Sequence, residues 1–277
     1  MKWLIRDGIK DEYGILRLQN VILNIISYID DICQKNDIEY YIIGGTALGA
    51  ARHGGFIPWD DDLDIAMTRH NYQKFCKIFR EQSDKNKYFF QESLVDWDGY
   101  YSKVRLLGTF IGELEYERNI PKEKRGIFID IFPLDYVPNN KFMQCIWYLF
   151  GKALVANALL KRGYDNASFK KKCLMYMSVP LNIKFIHDWI YNFVLSYNEK
   201  RTDYLGGFTL ISNLKNTISP SAIWGKPKNV PFESIRLLAP VDNDAFLHFY
   251  FGDYMKLPPL ESRKSKHMVE LDFGIYK

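Results

Sequence analysis

Four aspartates fall within five positions in the stretch Trp59-Asp60-Asp61-Asp62-Leu63-Asp64-Ile65-Ala66-Met67. Gathering that much negative charge beside apolar residues is costly unless a cation shares the site. On an extended strand of period two, Asp62 and Asp64 face one way while Leu63 and Ile65 face a core. Two carboxylates on one strand face suit Mg²⁺ or Mn²⁺, which take oxygen ligands and leave positions open for phosphate and water. The same alternation adds Asp60 as a further ligand and turns Asp61 away, as a turn or capping residue. Asp130, in the apolar run Gly126-Ile127-Phe128-Ile129-Asp130-Ile131-Phe132, is the third carboxylate expected to join them from a neighbouring strand. Three carboxylates can hold two divalent ions about 4 Å apart, with Asp130 as candidate general base toward an acceptor hydroxyl. The alternative for Asp130 is a buried ion pair with Lys103 or Arg105.

Phosphate-binding groups are expected upstream. The segment Ile42-Ile43-Gly44-Gly45-Thr46-Ala47-Leu48-Gly49 reads as an apolar strand entering a Gly-Gly turn and then a helix, whose first amides can receive a phosphate. Gly44, Gly45 and Thr46 are the candidate contacts, and Arg52, Lys103 and Arg105 are candidate cations for a diphosphate. Trp59 either walls the site and stacks on a base or simply packs beside a turn. His53 and His267 are candidate phosphate or substrate contacts, against a structural role.

The elements that must position these groups are legible from periodicity. Apolar residues recur at helical spacing from about 12 to 35, predicting an amphipathic helix packed on the first strand, Tyr40 to Ile43. A short helix from Thr46 to His53 stops before Gly54-Gly55. The acidic strand near Asp62 to Met67 and a helix from Arg69 to Glu81 follow, then strands at Tyr88 to Phe90, Ser102 to Thr109 and Gly126 to Phe132. This order predicts an α+β fold, a mixed sheet flanked by helices carrying a nucleotidyltransferase-type site, with a mostly helical second half packed onto it. The expected divisions are a catalytic core over 1–140, a helical region over 141–205, and strands and loops returning to the core over 206–277, ending in a polar tail.

Composition bounds the function classes. The chain has 277 residues, 47% hydrophobic and 25% charged, enough for a large core. A formal net charge of +4, with no sustained basic run, argues against a nucleic-acid partner. Cys33, Cys76, Cys145 and Cys173 are far apart, indicating neither a zinc site nor a disulfide framework. The charged start gives no secretory signal, so the expected location is cytoplasmic. The apolar stretch Phe142 to Leu160 is interrupted by Gln144, Lys152 and Asn157 and does not read as a spanning helix. An amphipathic helix lying on the inner face of a membrane stays open beside a core helix.

The stretch Gly44-Gly45-Thr46-Ala47-Leu48-Gly49-Ala50-Ala51-Arg52-His53-Gly54-Gly55-Phe56-Ile57-Pro58-Trp59-Asp60-Asp61-Asp62-Leu63-Asp64-Ile65 resembles the signature of the LicD family, which also includes the fukutin-type transferases. Gly126 to Asp135, Phe232-Glu233 and Phe251-Gly252-Asp253-Tyr254-Met255-Lys256-Leu257-Pro258-Pro259 match as well, whereas 141–205 carries no matching motif. The resemblance implies a nucleotidyltransferase-like fold and transfer of phosphocholine, or of glycerol or ribitol phosphate, from a CDP-activated donor to a hydroxyl of a cell-surface glycan or lipid-linked glycan, releasing CMP. It maps metal ligation onto Asp62, Asp64 and Asp130, with Asp60 as a further candidate. Two other readings stand beside it: a nucleotidyltransferase using a nucleoside triphosphate, and a non-catalytic nucleotide- or glycan-binding assembly subunit. The residues do not decide between a choline and a polyol head group.

Overall fold

A computed structural model describes residues 14–113, 120–164, 168–210, 213–263 and 268–276. The first helix, α1 (Ile15–Lys35), buries Leu18, Ile22, Ile25, Ile26 and Ile29 along one stripe, as its 3.6-residue period requires. Burying one such side chain contributes roughly 1.5–3 kcal/mol before entropy is counted. Then follow β1 (Tyr41–Ile42), α2 (Gly44–His53), β2 (Asp64–Thr68) and α3 (Arg69–Gln82). Strands β3 (Tyr88–Gln91), β4 (Ser102–Leu106), β5 (Phe110–Glu113) and β6 (Phe128–Val137) come next. The helical layer consists of α4 (Lys141–Lys161), α5 (Phe169–Met177) and α6 (Lys184–Leu195). The chain closes through β7 (Tyr204–Gly206), α7 (Leu214–Thr217), β8 (Ile218–Pro220), α8 (Ser221–Trp224), the hairpin of β9 (Lys228–Phe232) and β10 (Ile235–Ala239), α9 (Asn243–Phe251) and β11 (Met268–Asp272).

The main sheet runs β1-β2-β6-β4-β3, extended by β7 on β6 and β8 on β7. Strands β2 and β6 are parallel, and the other pairings are antiparallel. The expected mixed sheet flanked by helices is therefore present. One apolar core joins α1, α3 and the sheet. A second cluster, built on Trp147, Leu154, Val194 and Phe208, packs the helical layer against Val137 of β6 and Tyr100.

Three local expectations need correction. The two glycines are not a turn before the helix but its first residues, because Gly44 at φ +56° starts the helix directly after β1. The acidic strand begins only at Asp64, so Asp60, Asp61 and Asp62 lie in the loop leading to it. The C-terminal end is not merely a polar tail: β11 pairs antiparallel with β5, and Arg17 of α1 lies over Phe273. Helix α4 is long and apolar enough, by length and composition, to cross a membrane. It nevertheless holds buried polar side chains in the protein, Gln144 donating to the Pro138 carbonyl at 2.9 Å and Asn157 to the Ser178 carbonyl at 3.1 Å.

Candidate active site

Strand register places Asp64 directly opposite Asp130 across the parallel β2–β6 pair. Lys103 stands opposite Asp130 across the antiparallel β6–β4 pair. Asp64, Asp130 and Lys103 thus form a row over three adjacent strands, which is how residues distant in sequence share one site. The Lys103 ammonium lies 2.9 Å from an Asp130 oxygen and is 1% exposed. It also sits 3.7 Å from the centre of the Phe128 ring, an arrangement worth up to about 2 kcal/mol when desolvated. Of the two cations considered for an ion pair with Asp130, Lys103 therefore takes that place.

Asp64 is held by its backbone. Its amide donates to Thr46 Oγ1 at 3.0 Å, and its carbonyl accepts the Ile43 amide at 3.2 Å. Thr46 is accordingly a brace between α2 and β2, its hydroxyl engaged with the strand. The first turn of α2 faces the acidic loop closely: a Cβ built on Gly44 would lie 3.5 Å from Asp64 Oδ2, and one on Gly45 2.5 Å from Asp60 Oδ2. Gly45 leaves room for the Asp60 carboxylate, while Gly44 supplies the left-handed φ of +56° at the helix N-terminus, where partial positive charge favours anions.

Burial pushes the Asp64 carboxyl well above the ordinary range, Asp62, Asp130 and Asp60 push it further, and Lys103 opposes them. Carboxylate oxygens of Asp60, Asp61 and Asp62 lie within 4.8 Å of one another. Asp61, expected from alternation to point away, is buried and brings its carboxylate to the same group. The bend of the loop breaks the strand alternation on which that expectation rested. This all-oxygen donor set, with like charges crowded against one another, fits a divalent cation such as Mg²⁺ or Mn²⁺.

The remaining sequence candidates separate. Arg52, in the last turn of α2, donates to the Tyr254 carbonyl at 3.1 Å. Its pKa is lowered by burial and by Arg263, with Asp60 opposing, so the three charged groups share one rim. Trp59 packs against the core, with His53 and Arg263 at its ring. Arg105, proposed from sequence as a phosphate donor, is instead fully buried two positions along β4, donating to Gln91 Oε1 at 2.6 Å and to the Gly126 carbonyl at 3.1 Å. Its guanidinium is a fastener inside the sheet. His267 lies outside the described residues.

Several contributors were not found from the sequence. Gln19 of α1 is buried and donates to the carbonyls of Ile57 at 3.1 Å and Asp60 at 2.8 Å, pinning the acidic loop. A polar residue inside the apolar stripe of α1 was the available signal. Glu233, in the β9–β10 turn at φ +51°, accepts the Phe56 amide at 2.9 Å and holds the loop after α2. This contact gives the Phe232-Glu233 pair its structural role. Arg162 and Lys171 bring positive charge to a cavity of about 470 Å³ over Asp64, whose other wall carries Tyr100, Tyr101 and Phe132. No sequence pattern marks those two cations. A larger cleft of about 1110 Å³ opens at the far end of β2, beside Thr68 and Arg69, away from the acidic loop.

The sequence is similar to known proteins. The family described as "LicD/FKTN/FKRP, nucleotidyltransferase domain" matches residues 37–160, a span that contains β1, α2, the acidic loop and Asp130. The lipopolysaccharide cholinephosphotransferase LicD of Haemophilus influenzae is 30% identical over 261 residues, covering 91% of this chain and 95% of that protein. The human ribitol 5-phosphate transferase FKRP is 28% identical over 116 residues, covering 42% of this chain and 20% of that protein. An uncharacterized protein of Rickettsia typhi is 30% identical over 182 residues, 63% of this chain and 52% of its own length.

Proposed function

Since this chain belongs to the LicD family, we propose that it is a phosphotransferase that moves a phospho-alcohol group from a CDP-activated donor to a hydroxyl of a cell-surface glycan precursor, releasing CMP. The observation that carries the reading is the row Asp64–Asp130–Lys103 beside the glycine-opened N-terminus of α2. Phosphocholine is the first candidate group, because the likeness to a cholinephosphotransferase runs nearly end to end. The aromatic residues Tyr100, Tyr101 and Phe132 on the cavity wall suit the recognition of a quaternary ammonium. A glycerol or ribitol phosphate is the alternative, in keeping with the partial likeness to a ribitol 5-phosphate transferase.

In this reading Asp62, Asp64 and Asp130 would hold Mg²⁺ or Mn²⁺, with Asp60 and Asp61 alongside. A bound ion would supply charge neutralisation of the diphosphate and so favour in-line displacement. The acceptor oxygen attacks the phosphorus bearing the alcohol, the bond from that phosphorus to the CMP oxygen breaks, and the acceptor proton passes to Asp130. Lys103 keeps the Asp130 carboxylate aimed. Arg162 and Lys171 meet the anionic diphosphate from the helical side, and the amides of Gly44 and Gly45 from the other. The fold is nucleotidyltransferase-like, with catalysis in 1–140, acceptor contacts in 141–205 and closure by 206–277. The protein works on the cytoplasmic side.

The test is to incubate the purified chain with CDP-choline, CDP-glycerol and CDP-ribitol, with a crude surface-glycan extract as acceptor, and to assay CMP. Metal-dependent CMP from one donor supports the reading and names the group. Pyrophosphate from a nucleoside triphosphate, with no CMP from any donor, would replace it with nucleotidyl transfer. Donor binding indifferent to metal, with no turnover at all, would leave a non-catalytic binding subunit.

A further inference from the structure

The helical layer turns a broad apolar face outward. Phe169 is 83% exposed, Phe185 79%, Met177 77% and Trp189 58%, with Tyr176 and Ile183 beside them. All six fall within twenty-one consecutive positions that run from α5 through the short 3₁₀ turn Val179–Asn182, which both helices pack against, into α6, with Ile183 at the junction of the turn and α6. Scattered exposed apolar residues are ordinary, but this density on one small layer marks a surface that another apolar phase covers.

Its charge identifies that phase. Lys170 and Lys172 stand exposed in α5, and Lys184 in α6. Between residues 141 and 197 the sequence carries eight Lys or Arg against two Asp. One of these, Asp188, is paired with Lys184. A second copy docked face to face would set these lysines against their own equivalents with little acid to offset them. Apolar and aromatic side chains ringed by lysines instead suit an anionic lipid surface, where the rings enter the headgroup boundary and the ammonium groups meet acidic headgroups. Lys171, in the same run, lines the cavity over Asp64, so the patch reaches the mouth of the candidate active site.

We propose that the face formed by α5, the 3₁₀ turn and α6 seats the protein on an anionic membrane surface. The inference goes beyond the transfer reaction and is tested without turnover. The full chain is sedimented with vesicles of phosphatidylcholine alone and of phosphatidylcholine mixed with phosphatidylglycerol. The expected result is binding about tenfold stronger to the anionic vesicles, weakening as salt screens the lysines. The variant Phe169→Ser/Met177→Ser/Phe185→Ser is expected to lose most of that binding with unchanged circular dichroism and melting, since all three side chains are exposed. The variant Lys170→Gln/Lys172→Gln is expected to lose the preference for anionic vesicles while keeping its fold. No sedimentation with either vesicle, or binding by the triple variant equal to that of the unaltered chain, would overturn the proposal. A dimer by light scattering that the triple variant dissolves would assign the face to a second copy and overturn it equally.

Discussion

Gly45 and Asp60 are in mutual exclusion: a methyl group on Gly45 would fall 2.5 Å from Asp60 Oδ2. The acidic loop can approach the first turn of α2 only because that position has no side chain. Gly45→Ala is expected to fold, because the obstructing atom is a carboxylate and not backbone, but to displace Asp60. A misplacement on the ångström scale costs about 100-fold in turnover. Steady-state kinetics beside circular dichroism would check it, and unchanged kcat would remove Asp60 from the site.

Gln19 makes a complementary prediction from the other side of the loop. Replacing it by Leu removes the amide donor shared by the carbonyls of Ile57 and Asp60, of which the Ile57 carbonyl keeps the Asp60 amide at 3.0 Å. Losing such hydrogen bonds costs about 0.5–1.5 kcal/mol each. Gln19→Leu should therefore unfold at lower urea concentration and lose activity, whereas Gln19→Glu, which offers no amide donor either, should not rescue it. A melting curve indistinguishable from that of the unaltered protein would show the loop is held elsewhere.

Asp135, in the same sequence motif as Asp130, does different work. It is fully buried and accepts two bonds from Arg69, at 2.8 and 2.7 Å, and one from Asn198 at 2.8 Å. Burial lowers the Arg69 pKa and the Asp135 carboxylate more than offsets it, holding the guanidinium above its usual range. Asp135→Asn is expected to cost about 3–5 kcal/mol of stability, because it strands a buried cation. Chemical denaturation is the measurement. A stable but inactive variant would instead make Asp135 part of the chemistry.

How much of this was legible follows from which contacts are local. The α1 stripe comes from the period of 3.6 that any helix imposes, whereas Asp62 lies in the loop before β2, outside the strand alternation that pairs it with Asp64. The adjacency of β2 and β6 could be anticipated because Asp130 lies in an apolar run and a lone buried acid is costly. Lys103 and Arg105 looked equivalent, since residues i and i+2 share a strand face. Register alone, set by pairing with β6, gives Asp130 to one and the sheet interior to the other. The β5–β11 pairing joins segments about 160 positions apart and leaves no local trace. Asp61 was misjudged because its segment bends and strand alternation does not apply.

Asp64 also fixes a pH dependence. Its folded pKa is raised by burial and by like charges, so between the ordinary aspartate value and the raised one the native state binds more protons than the unfolded chain. The Asp64 contribution to stability without metal is thus most favourable below the ordinary aspartate pKa, about 3.9, and is lost as pH rises from there through the folded value. In EDTA, Asp64→Asn is expected to melt above the unaltered protein at neutral pH, with the gap closing toward pH 4. Added Mg²⁺ should raise the melting of the unaltered protein and leave the variant nearly unmoved. A constant gap at all pH values would mean that Asp64 does not titrate in this window.

The central claim is that the carboxylates of β2 and β6 and a divalent ion together perform the transfer. The measurement is CMP release from the accepted CDP-alcohol across a Mg²⁺ and Mn²⁺ titration, for the unaltered chain and for Asp64→Asn with its fold verified. Saturable, metal-dependent release that falls by about 10³-fold in the variant is the predicted result. Release that persists in EDTA, or turnover by Asp64→Asn at the unaltered rate, would contradict the account.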